Sequence, residues 1–196
     1  MSDDPFERYL AAQEAGLRAE AGAAIRDLVA SLPNDGAREA WLRANLHRCP
    51  PLGNGCIRHE IFHRIALPVL VPKWRTGDAW AKLTLARHWL NWSGRTGTAL
   101  DETTRRSMWR EALAADPENV GARRGLADDI AGGLHYAFHE WPAGLLIGSD
   151  ESAGEAFGDI EDQFAELSDL DDTGDHAKNI LHWRAFLSEA RSRNPA

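Results

Sequence analysis

Apolar positions in this chain recur at steps of three and four, and nowhere alternate with polar ones for as many as six residues. That is the spacing of one face of an α-helix. Phe6, Leu10, Leu17, Ile25, Leu28 and Leu32 set the first stripe. Asp4-Pro5 opens it with a capping carboxylate and a proline at the first helical position. Pro33-Asn34-Asp35-Gly36 closes it. A short second helix carries Trp41 and Leu42 and stops at Cys49-Pro50-Pro51. After the loop Leu52-Gly53-Asn54-Gly55, a third carries Ile57, Ile61 and Ile65. Pro68 and Pro72 then break the pattern, and residues 67–71 are the one stretch expected to be extended. Gly77-Asp78 opens a fourth helix holding Trp80, Trp89 and Trp92, and residues 93–97 form a turn. Asp101 is expected to cap a fifth helix with Met108, Trp109, Ala112 and Leu113. Asp116-Pro117 caps a sixth with Val120, Leu126, Ile130 and Leu134, ended by Trp141-Pro142-Ala143-Gly144. Phe157, Ile160, Phe164 and Leu167 mark a seventh helix. Ala177, Leu181, Phe186 and Leu187 mark the last. The pattern predicts an all-α protein, a compact bundle of antiparallel helical hairpins with about eight helices, in a single domain over residues 1–196.

Composition agrees with a folded chain: 196 residues, 43% apolar and 27% charged, long enough to bury a core without disulfides. No apolar run approaches the ~20 residues of a membrane span, and the acidic start Met1-Ser2-Asp3-Asp4-Pro5 lacks the basic and apolar regions of a signal peptide. Two cysteines do not make a secreted disulfide framework, so the cytoplasm is the expected location. The net charge of −8 is unevenly spread. Asp150 to Asp175 holds eleven acids and no Lys, Arg or His, and the rest of the chain carries a balance of +3. Between Arg38 and Arg75 seven bases face only Glu39 and Glu60. An acidic face can steer a basic partner. Asp159, Glu161, Asp162 and Glu166 lie mainly off the seventh helix's apolar stripe and are the residues expected to do so. In the competing arrangement they pair internally, with arginines such as Arg58 and Arg64.

The fragment from Trp109 to Asp116-Pro117 resembles the second helix of a tetratricopeptide repeat, with an aromatic, a small residue and a proline at spacings of three and five. Leu187, Ala190 and Pro195 echo it. The resemblance covers two short fragments, and what it implies is helix-hairpin packing.

Ten residues are of metal-ligand type, eight His and two Cys. Five of them fall within residues 47–63: His47, Cys49, Cys56, His59 and His63. On a helix advancing ~100° per residue, Cys56, His59 and His63 share one side, opposite Ile57, Ile61 and Ile65. Cys49, Cys56, His59 and His63 would have the composition of a closed zinc site, and zinc is the expected cofactor on this reading. The stretch His59-Glu60-Ile61-Phe62-His63 also resembles the H-E-x-x-H helix of zincin metalloproteases. That resemblance implies His59 and His63 as ligands and Glu60 as general base. The chain departs from the zincin pattern at Arg64, at Pro68, and at Ala66 and Val69, where metzincins carry a glycine and a third histidine. A second pair, His135 and His139, precedes Glu140 at the same spacing.

There is no dinucleotide-binding glycine motif, Walker A loop or serine-nucleophile elbow, and the acidic balance disfavours nucleic acid. Trp92 and Trp141 flank turns and are candidate contact anchors. The leading reading is a non-enzymatic acidic interaction protein, of the inhibitor or immunity type, that neutralises a basic protein partner. The alternative is a metal-binding protein or metal-dependent enzyme centred on Cys56, His59, Glu60 and His63.

Overall fold

A computed structural model describes residues 3–51, 56–92, 104–139 and 153–193. Every regular element among them is helical. The chain divides into two compact units, residues 1–103 and 104–196.

The first unit opens with α1 (Pro5–Glu14) and α2 (Arg18–Ser31). The Asp4 carboxylate caps α1, accepting the Phe6 N–H at 2.7 Å. The single long helix read from the sequence is two, because Gly16 adopts a φ of 72° and reverses the chain. That left-handed conformation costs glycine little and other residues more. The pair packs as an antiparallel hairpin. Next come α3 (Asp35–Asn45), capped by Asn34, and a 3-10 turn at Leu46–Arg48. After the loop, α4 (His59–Ile61) runs through a π turn (Phe62–Ala66) into α5 (Leu67–Arg75). Residues 67–71 are therefore helical, not extended. Pro68, the second residue of α5, brings no N–H to the helix, and the hydrogen-bond ladder changes register in the π turn just before it. The π turn, closed by the Leu67 N–H on the Phe62 carbonyl, carries the chain into that proline. Pro72 lies inside the helix and lacks the N–H that would reach Pro68. Asp78 caps α6 (Ala79–Arg87), and α7 (Trp89–Trp92) follows. Phe6, Tyr9, Ile25, Leu42, Ile61, Phe62, Ile65, Leu70 and Leu85 form the buried core of this unit.

The second unit holds α8 (Arg105–Ala115), α9 (Val120–Phe138), α10 (Ala153–Leu170) and α11 (Ala177–Arg193). Thr104 caps α8 in a reciprocal box with Ser107, and Asn119 caps α9. Asp116, expected to cap the sixth helix, instead ends α8. Asp101 and Trp141 lie outside the described residues. Both α8 and α10 pack on α9. Phe138 of α9 stacks on Phe164 of α10 at 6.2 Å and on Trp183 of α11 at 6.4 Å between ring centroids. The apolar stripe expected on α10 is buried in full: Phe157, Ile160, Phe164 and Leu167.

No described helix is long and apolar enough to cross a membrane.

Candidate functional site

The ligand-rich stretch of the first unit is built around one buried asparagine. Residues 56–58 have no regular structure, so the backbone of buried Ile57 lacks helical partners. Asn91 of α7 supplies them. Its Nδ2 donates to the Ile57 carbonyl at 2.8 Å and its Oδ1 accepts the Ile57 N–H at 3.1 Å. The Asn91 backbone carbonyl lies 3.1 Å from His63 Nε2. A carbonyl only accepts, so His63 donates there through an Nε2–H. One residue thus fixes both the approach to α4 and the ring of His63. It was not foreseen from the sequence; its signal was a lone polar side chain in Trp89-Leu90-Asn91-Trp92.

His59 is exposed, His63 is half-buried, and their rings meet at 4.0 Å between centroids. Cys56 is buried. Cys49 follows the 3-10 turn, also buried, with its Sγ 3.8 Å from the Asn45 carbonyl oxygen. Burial pushes the Cys49 thiol up to about 12, only partly offset by Arg48. With no ion bound it is therefore a thiol rather than a thiolate. Arg58 Nε donates to the Glu60 carboxylate at 3.1 Å. Burial works to raise the Glu60 carboxyl, but its own backbone N–H and Arg58 outweigh that and keep it below the ordinary range. Among the described residues, no three His, Cys, Asp or Glu side chains gather closely enough to hold a metal ion. The expected closed set of Cys49, Cys56, His59 and His63 is thus not assembled as one donor group. The rings of the histidine pair are in contact.

Cys49 should resist alkylation. At pH 8 a thiol of pKa about 12 is ionised in roughly one molecule in ten thousand, and this one is also buried. Iodoacetamide at pH 8 should leave Cys49 unmodified in native protein and label it fully in denaturant, as read by peptide mass spectrometry. Rapid native labelling would contradict the buried placement.

His135 and His139 are both exposed at the end of α9. The His139 ring stacks on Tyr136 at 5.3 Å, and its Nδ1 lies 2.9 Å from the Tyr136 carbonyl oxygen. Glu140 lies outside the described residues.

In the second unit, the acids of α10 divide into two groups. Glu166 accepts a bidentate pair of hydrogen bonds from Arg110 of α8, at 2.9 and 2.6 Å. Glu161 accepts from Arg191 of α11. These bonds hold both carboxyls below the ordinary range, Glu166 through Arg110 and Glu161 through Arg191. Asp172 pairs with Arg123 at 3.4 Å. Asp171 caps its own turn, accepting the N–H groups of Asp175 and His176. The arginines that meet the acidic window therefore come from α8, α9 and α11, while Arg58 pairs with Glu60. Asp159, Asp162 and Asp169 are different. They are exposed, and among the described residues no cation lies within ion-pair distance of them. At ~100° per residue they fall within about 80° of one another, on the side of α10 away from Phe164 and Ile160, and Glu166 with its Arg110 partner lies within the same arc.

No protein-family model, curated protein or solved structure matches this chain.

Proposed function

We propose that the chain is a binding protein without catalytic chemistry of its own, which recognises a basic protein through the outward side of α10. In its most concrete form it is an inhibitor or immunity-type protein that masks a positively charged surface. The observation that carries this reading is the division of the acids. Glu161 and Glu166 are held by Arg191 and Arg110 and tie α10 to its neighbours. Asp159, Asp162 and Asp169 are aligned, exposed and uncompensated among the described residues. Like charges placed together on a surface repel one another, and a complementary cationic surface relieves that repulsion.

The first test is capture. Immobilised wild-type protein should retain a basic protein from lysate of the source cells at low ionic strength and release it as salt is raised, because exposed charges are screened within ~8–10 Å at 0.1–0.15 M. The double variant Asp159→Lys, Asp162→Lys should not retain it. Both chains should unfold within ~0.5 kcal/mol of each other in urea, since exposed changes away from special contacts cost little. Equal capture by the two chains, or a partner without excess positive charge, would sink the proposal.

A further inference from the structure

Two guanidinium groups of α11 lie over two rings of α10, and the two pairs repeat one arrangement. Arg191 stands over Phe157, 5.7 Å from the ring centroid, and Arg184 over Phe164, 5.9 Å away. On each helix the repeat is seven residues, which returns almost to the same face. The two pairs are completed differently. Glu161, four residues after Phe157, accepts from Arg191 and is its counterion. Four residues after Phe164 stands Ser168, whose hydroxyl donates to the Phe164 carbonyl at 2.7 Å. Arg184 adds to the hold of Arg191 on the Glu161 carboxyl, but no carboxylate among the described residues lies within ion-pair distance of Arg184 itself.

A cavity of about 480 Å³ opens between α10 and α11 at this point, lined by Glu161, Phe164, Arg184, Leu187, Ser188 and Arg191. Cavities of roughly 300–1,000 Å³ suit small ligands. Buried Phe164 and Leu187 give this one an apolar floor. On α11, Arg184, Ser188 and Arg191 fall within about 60° of one another, so three donor side chains share one wall.

We propose that this groove binds a small organic acid, one carboxylate joined to a flat apolar body. Arg184 takes the carboxylate, since a guanidinium lying over a ring still presents its planar fork of N–H donors. Ser188 adds a hydroxyl donor on the same wall. The flat body lies along Phe164, Leu187 and the aliphatic stems of the two arginines. An inorganic anion meets the charge but covers no apolar floor, and a neutral ring covers the floor but leaves Arg184 without a counterion. Glu161 is a competing anion at the rim. The site uses none of Asp159, Asp162 or Asp169, and it stands independently of the acidic face.

Full-length protein should be titrated calorimetrically with 2-naphthoate, with the neutral 2-naphthamide of the same shape, and with inorganic phosphate. The naphthoate should bind saturably at one per chain, and the amide and phosphate at least tenfold more weakly. Arg184→Gln changes an exposed residue and should keep the helical circular dichroism of wild type; it should weaken naphthoate at least tenfold. Glu161→Gln should do the opposite and tighten naphthoate about threefold or more, because it removes the competing charge and leaves Arg191 to the ligand. Absence of saturable naphthoate binding in wild type would overturn the proposal. So would equal affinity for the amide or for phosphate, an Arg184→Gln chain that binds as wild type does, or weaker binding by Glu161→Gln.

Discussion

Replacing Asn91 with alanine is expected to destabilise the first unit by about 2–5 kcal/mol. Asn91 is buried at 3% exposure and serves both backbone groups of Ile57, itself only 3% exposed. Each buried backbone group left without a partner costs roughly 1–3 kcal/mol. Aspartate is not a conservative replacement, because it accepts the Ile57 N–H but cannot donate to the carbonyl, and it brings a charge into a buried place. Asn91→Asp should therefore be at least as damaging as Asn91→Ala near neutral pH. Urea denaturation followed by tryptophan fluorescence measures both. A loss below ~1 kcal/mol for the alanine variant would mean that Ile57 finds its partners elsewhere.

The second large effect concerns the contact of Trp109 with Gly125. Trp109 of α8 is buried at 3% exposure and lies flat against α9. A Cβ placed on Gly125 would stand 2.5–2.6 Å from three carbons of the indole ring. Glycine inside a helix ordinarily costs about 1 kcal/mol relative to alanine, so its presence mid-helix has a steric reason. Trp109→Ala should cost about 3–5 kcal/mol, the usual range for emptying an aromatic site. Gly125→Ala alone should cost about 1–3 kcal/mol, because overpacking outweighs the gain in helix propensity. Made in the Trp109→Ala background, the same Gly125→Ala change should reverse sign and stabilise by up to ~1 kcal/mol. A double-mutant cycle by thermal or chemical unfolding reads the coupling directly. Additive effects would show that the ring and the glycine do not touch.

The helical class and most helix positions were legible because they depend on local periodicity, as the buried stripe of Phe157, Ile160, Phe164 and Leu167 shows. Three local features were not. The turn at Gly16 was hidden because Leu10 and Leu17 are seven residues apart, a spacing that continues a helix as well as spanning a reversal. Helix through residues 67–71 ran against the usual effect of proline, and depended on Pro68 falling in a first turn after a π turn. The cap of α9 is Asn119 because Asp116 is taken by the end of α8.

The candidate sites were legible only in composition. Residues 47–63 stand out as rich in sulfur and imidazole, but which of them meet is decided by Asn91, 34 residues beyond Ile57. The acidic window stands out equally, and its four expected contact residues proved unlike. Asp159 and Asp162 are exposed, with no cation in ion-pair distance among the described residues, while Glu161 and Glu166 meet arginines 30 and 56 residues away. A run of charge in sequence does not reveal which members fold against counterions, since pairing depends on the packing of α8, α10 and α11 around α9.

The central claim is that the outward acids of α10 serve recognition while the arginine-held ones serve structure. It is tested most directly by stopped-flow association of the captured basic partner with wild type and with Asp159→Lys, Asp162→Lys across a series of ionic strengths. The account predicts that the wild-type rate falls steeply with salt, that the variant associates at least tenfold more slowly at low salt, and that the two rates converge when salt is high. A variant that associates at the wild-type rate, with the same salt dependence, would contradict it.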